Sequence, residues 1–302
     1  MALPPGLATR PLRPDDAAAV TAVMAAEELA YVGRVSIELA DIVADWSRPS
    51  ADLEKTTLGI FSGADLVAYG EVSSSMRGDA AVHPDHHGRG IGTFVAQWMQ
   101  ARARELGYDG IGMPVPAGSP GERLLRELGY QVRWNSWVLA LPDGADIAAR
   151  DLPDGYRLAV AASDDDRLAA WHVTEDAFLE WSDRSKDTFE DWDARVTRRP
   201  GFEPWMLRLV KDADGEVVAA VSVQLADRTG YVDKVAVRPD QRGRGLAQAL
   251  LVDAFAAARA HGAARSELAT DSRTGALDLY LKIGMEIDSD WVNLGVRFAV
   301  GS

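Results

Sequence analysis

The spacing of apolar positions changes character several times along the chain, and each change marks an element. Glu216 to Gln224 and Tyr231 to Val237 are rich in β-branched residues, which predicts two strands, with Asp212 to Gly215 as a tight turn before the first. Adjacent antiparallel strands follow from that arrangement. By period-two alternation Tyr231, Asp233, Val235 and Val237 should share one face of the second strand. After Gly245 the period switches: Leu246, Ala249, Leu250, Ala254 and Phe255 recur at helical spacing, and the helix should stop near Gly262. An earlier stretch behaves alike, with Ile91, Val95, Trp98 and Met99 on one helical stripe that ends near Gly107.

The likeness between these stretches extends to a repeat. Val82 to Gly92 (VHPDHHGRGIG) returns 155 residues later as Val237 to Ala247 (VRPDQRGRGLA), and Glu122 to Tyr130 returns at the same spacing as Leu277 to Met285. Pro14 to Asp16 matches Ser163 to Asp165 at a spacing of 149, so about six residues are inserted in the second copy. So long a period predicts duplicated domains rather than a solenoid. Residues 1–141 and 156–302 would be the copies, joined by a linker at 142–155 that Pro142, Gly144, Pro153 and Gly155 punctuate. Each copy reads as helix, strands, a strand entering a glycine-rich turn and helix, then a strand and a last helix. The expected class is α/β, a mixed but mostly antiparallel sheet flanked by helices.

Composition narrows the chemistry. The 302 residues suffice for two cores, and 47% hydrophobic with 26% charged residues is an ordinary globular balance. A net charge of −14 argues against nucleic acid and anionic membranes as partners and leaves room for a cationic small molecule. The absence of cysteine excludes disulfides, thiolate metal sites and a cysteine nucleophile, so thiol chemistry would have to arrive with a cofactor. No apolar leader opens the sequence and no apolar run reaches the 18 or so residues of a membrane span, so a cytoplasmic protein is expected. The pattern fixes no oligomeric state; duplicated domains are compatible with a monomer.

The chemistry-bearing element is the strand, glycine turn and helix around Arg242, Gly243, Arg244, Gly245, Leu246 and Ala247. Glycines let several backbone N–H groups point one way, and the helix start adds partial positive charge, so a pyrophosphate fits. The P-loop reading fails for want of Gly-Lys-Ser/Thr, and the dinucleotide fingerprint fails because the preceding strands read as an antiparallel meander. His83, His86 and His87 sit in a turn at Pro84 with no evident partner ligands, so no metal is expected.

Arg242, Gly245 and Ala247, followed by Leu279, Tyr280, Gly284 and Met285, resemble the pyrophosphate loop and C-terminal motif of the GNAT superfamily of acyl-coenzyme A dependent N-acetyltransferases, in a tandem arrangement. The resemblance implies acetyl-CoA as donor, with Val235, Ala236 and Val237 holding its pantetheine arm by their backbone. It implies further donor contacts from residues 242–247 and from Ser272, and makes Tyr280 the acid that protonates the leaving thiolate. Asp233 is the candidate base for the acceptor amine, directly or through water; it is equally readable as a sheet carboxylate paired with an arginine. Copy one keeps Val82, Gly88, Arg89, Gly90 and Gly92 for a phosphate, but His87 replaces the loop arginine and Leu125 the tyrosine, which implies a catalytically silent copy.

In this family acceptor recognition would fall on Trp171 to Trp205. That stretch carries the acids Glu175, Asp176, Glu180, Asp183, Asp187, Glu190, Asp191 and Asp193 among Trp171, Phe178, Trp181, Phe189 and Trp192. They form either a cradle for a cationic amine or two amphipathic helices with core aromatics and solvated acids. The implied function is direct acetyl transfer to a small, cationic primary amine in a ternary complex on copy two. The alternative is a non-catalytic acyl-CoA binding or sensing protein.

Overall fold

A computed structural model describes residues 3–73, 76–182 and 184–298. In the first copy it shows β1 (Ala8–Arg10), α1 (Ala17–Tyr31), α2 (Leu39–Trp46), α3 (Leu53–Thr56), β2 (Thr57–Ser62), β3 (Asp65–Val72), β4 (Gly78–Val82), α4 (Ile91–Glu105), β5 (Gly110–Pro116), α5 (Pro120–Glu127) and β6 (Gln131–Ala140). The second holds β7 (Arg157–Val160), α6 (Asp164–Leu179), α7 (Phe189–Arg195), β8 (Leu207–Lys211), β9 (Val217–Ala226), β10 (Thr229–Val237), α8 (Leu246–Ala260), β11 (Arg265–Asp271), α9 (Leu277–Lys282) and β12 (Glu286–Arg297). The mixed α/β class and the antiparallel meander before each glycine turn are as the pattern predicts.

The chain divides into two compact units, Met1–Ser136 with Ser289–Ser302, and Trp137–Asp288. Residues 289–298 thus leave the copy in which the sequence placed them. The reason is pairing: Trp291 to Arg297 of β12 run antiparallel to Pro116 to Gly110 of β5, and Val292 and Leu294 enter the first unit's core with Ile111 and Met113. Residues 142–155 hold no helix or strand.

In the first unit β1-β2-β3-β4 form an antiparallel meander. Helix α4 packs on one face of β3 and α1 on the other. In the second unit β7, β8, β9 and β10 are antiparallel neighbours in that order, and β11 joins β10 in parallel. Helix α8 buries Leu246, Leu250, Leu251 and Phe255 on one face of this sheet. On the other face α6 and α7 bury Ala170, Val173 and Trp192. Helix α6 starts firmly: the Ser163 hydroxyl accepts from the Asp166 N–H, and three aspartates occupy its positive first turn.

One alternation breaks. The register of β10 on β9 shifts between Val232 and Lys234, leaving Asp233 as an extra, unpaired residue. Val232, Val235 and Val237 all pack toward α8, whereas Ala236 packs toward α6. Tyr231, Asp233, Val235 and Val237 therefore do not share one face, because the inserted residue flips the parity of everything beyond it.

Candidate active site

The site is organised by where β10 parts from β11. Their parallel ladder runs from Thr229/Arg265 to Val232/Leu268 and then ends, while β10 stays bonded to β9 as far as Val237/Ala219. The backbone of Val235, Ala236 and Val237 thus has one side free of any ladder, which suits an extended polar arm laid between the strands. Strand β4 ends likewise as the edge of its meander, with Val82 paired to Ala68.

Each strand leads into a glycine loop with nearly the same dihedrals. Gly243 has φ +75° and Gly245 φ +82°; Gly88 has +72° and Gly90 +81°. This left-handed backbone is why both positions are glycine. Among the described residues no group accepts from the backbone N–H groups of Gly243 through Gln248, nor from those of Gly88 through Thr93. Each loop with its helix start is a run of free donors, as an anionic phosphate requires.

The first side chain of each loop does something else. Arg242 makes a bidentate ion pair with Glu180 at the end of α6 (2.7 and 2.8 Å) and donates to the Val237 carbonyl. His87 takes the same place in copy one, 2.8 Å from the Val82 carbonyl and 2.8 Å from the Tyr31 hydroxyl at the end of α1, and stacks on that ring. Both are braces that hold loop, strand end and helix end together, and the free donors of each loop are those of its backbone. Arg244 reaches the Tyr156 hydroxyl at 3.3 Å, and Arg89 contacts His86 at 2.9 Å. Gly92 lies against Leu124, whose methyl a Cβ there would press. Ala247 is the second residue of α8, and Ser272 lies in the turn after β11. The loops differ at one flank: a side chain on Gly245 would run into Arg150 of the linker, whereas one on Gly90 would meet nothing within 4 Å. Sequence reasoning gave Arg150 no role; Ile147, buried beside α8, and Ala148, whose carbonyl accepts from Gln248, bring it there.

Tyr280 sits on α9 with its ring in the α8 core and only 7% of the residue exposed. Burial raises its phenol to about 12. The hydroxyl has no hydrogen-bond partner among the described residues, yet it is not an enclosed orphan, so its tip keeps contact with solvent. It is an uncommitted proton donor. In copy one the same place holds Leu125, buried in the α4 core.

The opposite face of β10 meets α6 and α7. Glu175, fully buried, is bound by Arg184 at 2.7 Å and accepts from the Asp187 N–H at 3.1 Å. Asp187 pairs with Arg195, and Asp176 with Lys186 at 2.5 Å. Trp192 is core, Trp171, Phe178 and Phe189 pack against it, and Trp181 is exposed; Asp183 lies outside the described residues. The stretch is therefore neither an open aromatic cage nor a solvated face: its acids are largely spent on the chain's own cations. Lys234, which the sequence reading passed over, points at this network, 4.0 Å from Glu175 and 5.6 Å from the Phe178 ring centre. Burial pushes its ammonium below the usual lysine range. Asp233 lines a small recess with Arg195, Arg199, Phe202 and Gln224. No signal in one sequence distinguishes a bulged Asp233 from a paired one, because bulges depend on the partner strand.

The corresponding strand positions in copy one are carboxylates. Glu71 and Asp79 stand directly opposite each other on β3 and β4, where copy two has Ser222 opposite Lys234. Burial raises Glu71 to about 7, helped by Asp45 and Asp79, although Trp46 donates to it; burial also raises Glu27 of α1 to about 7. Among the described residues no group of three or more His, Asp or Glu is placed to hold a metal, and no helix is long and apolar enough to cross a membrane.

Residues 166–285 match the acetyltransferase (GNAT) family model and residues 57–138 that of FR47-like proteins. The mycothiol acetyltransferase of Thermobispora bispora is 28% identical over 235 residues, covering 74% of this chain and 78% of its own. That of Saccharopolyspora erythraea is 27% identical over 257 residues, covering 74% and 79%. Among solved structures, a GCN5-related N-acetyltransferase from Sphaerobacter thermophilus aligns with TM-score 0.75 and 26% identity over 100% of this chain and 98% of that one. A tandem GNAT protein of the clavulanic acid pathway shares the fold, with TM-score 0.76 at 17% identity over 98% and 100%. A family match in each copy, relatives spanning most of the chain and the loop geometry above agree: the chain belongs to the GNAT superfamily, as a tandem acyltransferase laid out like the mycothiol acetyltransferases.

Proposed function

We propose that the second copy transfers the acetyl group of acetyl-CoA to a small primary amine, cationic in its resting form, by direct attack while both substrates are bound. The observation that carries this is the coincidence, in one copy, of free loop donors, a strand released from its neighbour and an uncommitted tyrosine hydroxyl. Acetyl-CoA supplies the activated acyl thioester. Gly243 to Gln248 would hold its pyrophosphate through backbone N–H groups, with Ser272 at the rim of the opening, and Val235 to Val237 would align its arm. Tyr280 keeps its proton at every assay pH and releases it as charge builds on the departing sulfur. Asp233, in its recess at the bulge, would attract the acceptor's ammonium by its charge.

The first copy, with the same loop but Leu125 in place of the tyrosine, is read as donor-binding and silent, so a sensing role is favoured for that copy alone. The test is calorimetry with acetyl-CoA, then thiol release with glucosamine, putrescine and tyramine as acceptors. The chain has no cysteine, so a thiol reagent reads coenzyme A without background. Binding followed by acceptor-dependent thiol release is expected. No binding at millimolar acetyl-CoA overturns both the transfer and the sensing readings.

A further inference from the structure

Direct transfer demands that the acceptor ammonium lose a proton before it attacks, and the two acids nearest Lys234 from α6 and the segment leading into α7 are already engaged. Glu175 is wholly enclosed, with Arg184 and the Asp187 N–H on its oxygens. Asp187 is committed to Arg195 and Arg184. The cation left over is Lys234: it reaches Glu175 only at 4.0 Å, behind Arg184, and keeps 21% of its side chain exposed. Its position on the strand matters most. It follows the bulge immediately, so its side chain turns to α6 and α7 while the next residues, Val235 to Val237, offer the free backbone along which the donor arm would lie.

We infer that Lys234, in its uncharged form, is the base that deprotonates the acceptor amine. This rests on the transfer reading above. The groups around it explain why a lysine can serve: burial disfavours its charge, and Arg195 and Arg184 add to that, while Asp233 and Glu175 oppose it. Ser222, directly across on β9, brings no charge. The amine gives one proton to Nζ, and its freed lone pair forms the C–N bond as the thioester C–S bond breaks. The sulfur takes the Tyr280 proton; the second proton of the new amide restores the phenol, and Lys234 returns its own to solvent.

Two measurements test this. The first needs no acceptor: pulse labelling with acetic anhydride across pH 6 to 11, read by mass spectrometry, should give Lys234 a titration midpoint below that of Lys282. The second compares wild type with Lys234→Arg and Lys234→Met in thiol release with the fastest amine of the panel. Both variants should bind acetyl-CoA as wild type does and lose about 100-fold in kcat/KM, together with the rising limb of the pH profile. A midpoint at or above that of Lys282 overturns the inference, as does an arginine variant that keeps the wild-type rate and profile, since arginine preserves the charge and the Glu175 contact but cannot serve as base. Failure to bind acetyl-CoA would instead remove the transfer reading itself, so the two failures are distinguishable.

Discussion

The two glycine loops share a backbone to within a few degrees, yet the strand pairs that feed them carry opposite chemistry. Copy one sets Glu71 against Asp79, two acids face to face; copy two sets Ser222 against Lys234. Copy one closes its α5 position with Leu125, and copy two keeps a phenol. The difference teaches that duplication preserved what the main chain does, a run of free N–H groups after an open strand end, and let side-chain chemistry diverge. Even the braces diverged while keeping one job, Arg242 with Glu180 in one copy and His87 with Tyr31 in the other.

The contrast breaks most sharply at the tyrosine. Tyr280→Phe should lower turnover about 100-fold and leave acetyl-CoA affinity unchanged, since the ring is core and only the hydroxyl is removed; steady-state thiol release beside calorimetry checks both. Unchanged turnover would make the copies equivalent again. Next comes the pair Gly245→Ala and Gly90→Ala. Each forces a side chain into left-handed backbone, at about 1 kcal/mol, but only the first also drives Arg150 off the loop. A larger loss of stability in denaturant and about a tenfold loss of affinity are expected for Gly245→Ala alone; equal effects would mean that the linker side chain is incidental.

The acidic recess of copy one offers a pH test. Glu71 titrates near about 7 when folded, above its ordinary 4.5, so the unfolded chain releases that proton first. Its contribution to stability is therefore full below pH 4.5 and falls as the pH rises toward 7. Glu71→Gln should raise the melting temperature at pH 8 and not at pH 4; a gain at both would show that the charge is irrelevant. Smallest is the brace: Glu180→Ala should cost only about 0.5 kcal/mol by chemical denaturation, because the pair is exposed, and Tyr31→Phe a similar amount in copy one.

Much of this was legible in the sequence because it is local. The period switch at Gly245 marks α8, the Asp212 to Gly215 turn marks the β8–β9 hairpin, and the swap of Tyr280 for Leu125 separates the copies without a coordinate. What was not legible depends on partners far away in the chain. The bulge at Asp233 exists only relative to β9, and it turns Lys234 toward α6 and α7. The element order read from the sequence stops at the last helix of each copy, so β12 was not foreseen, and nothing in its residues says that Trp291 to Arg297 lie on β5. The acids of α6 and α7 look solvated until the fold brings Arg184, Arg195 and Lys186 onto them.

That last strand has a consequence for how the protein is made. A ribosome delivers β5 early, yet its partner, Trp291 to Arg297, emerges only after every residue of the second unit has been synthesised. The unit begun first is thus finished last, and during translation it waits with one strand edge open. Cutting the gene between the repeats would leave that gap permanent; the half that could be excised whole is the one in the middle, Trp137–Asp288.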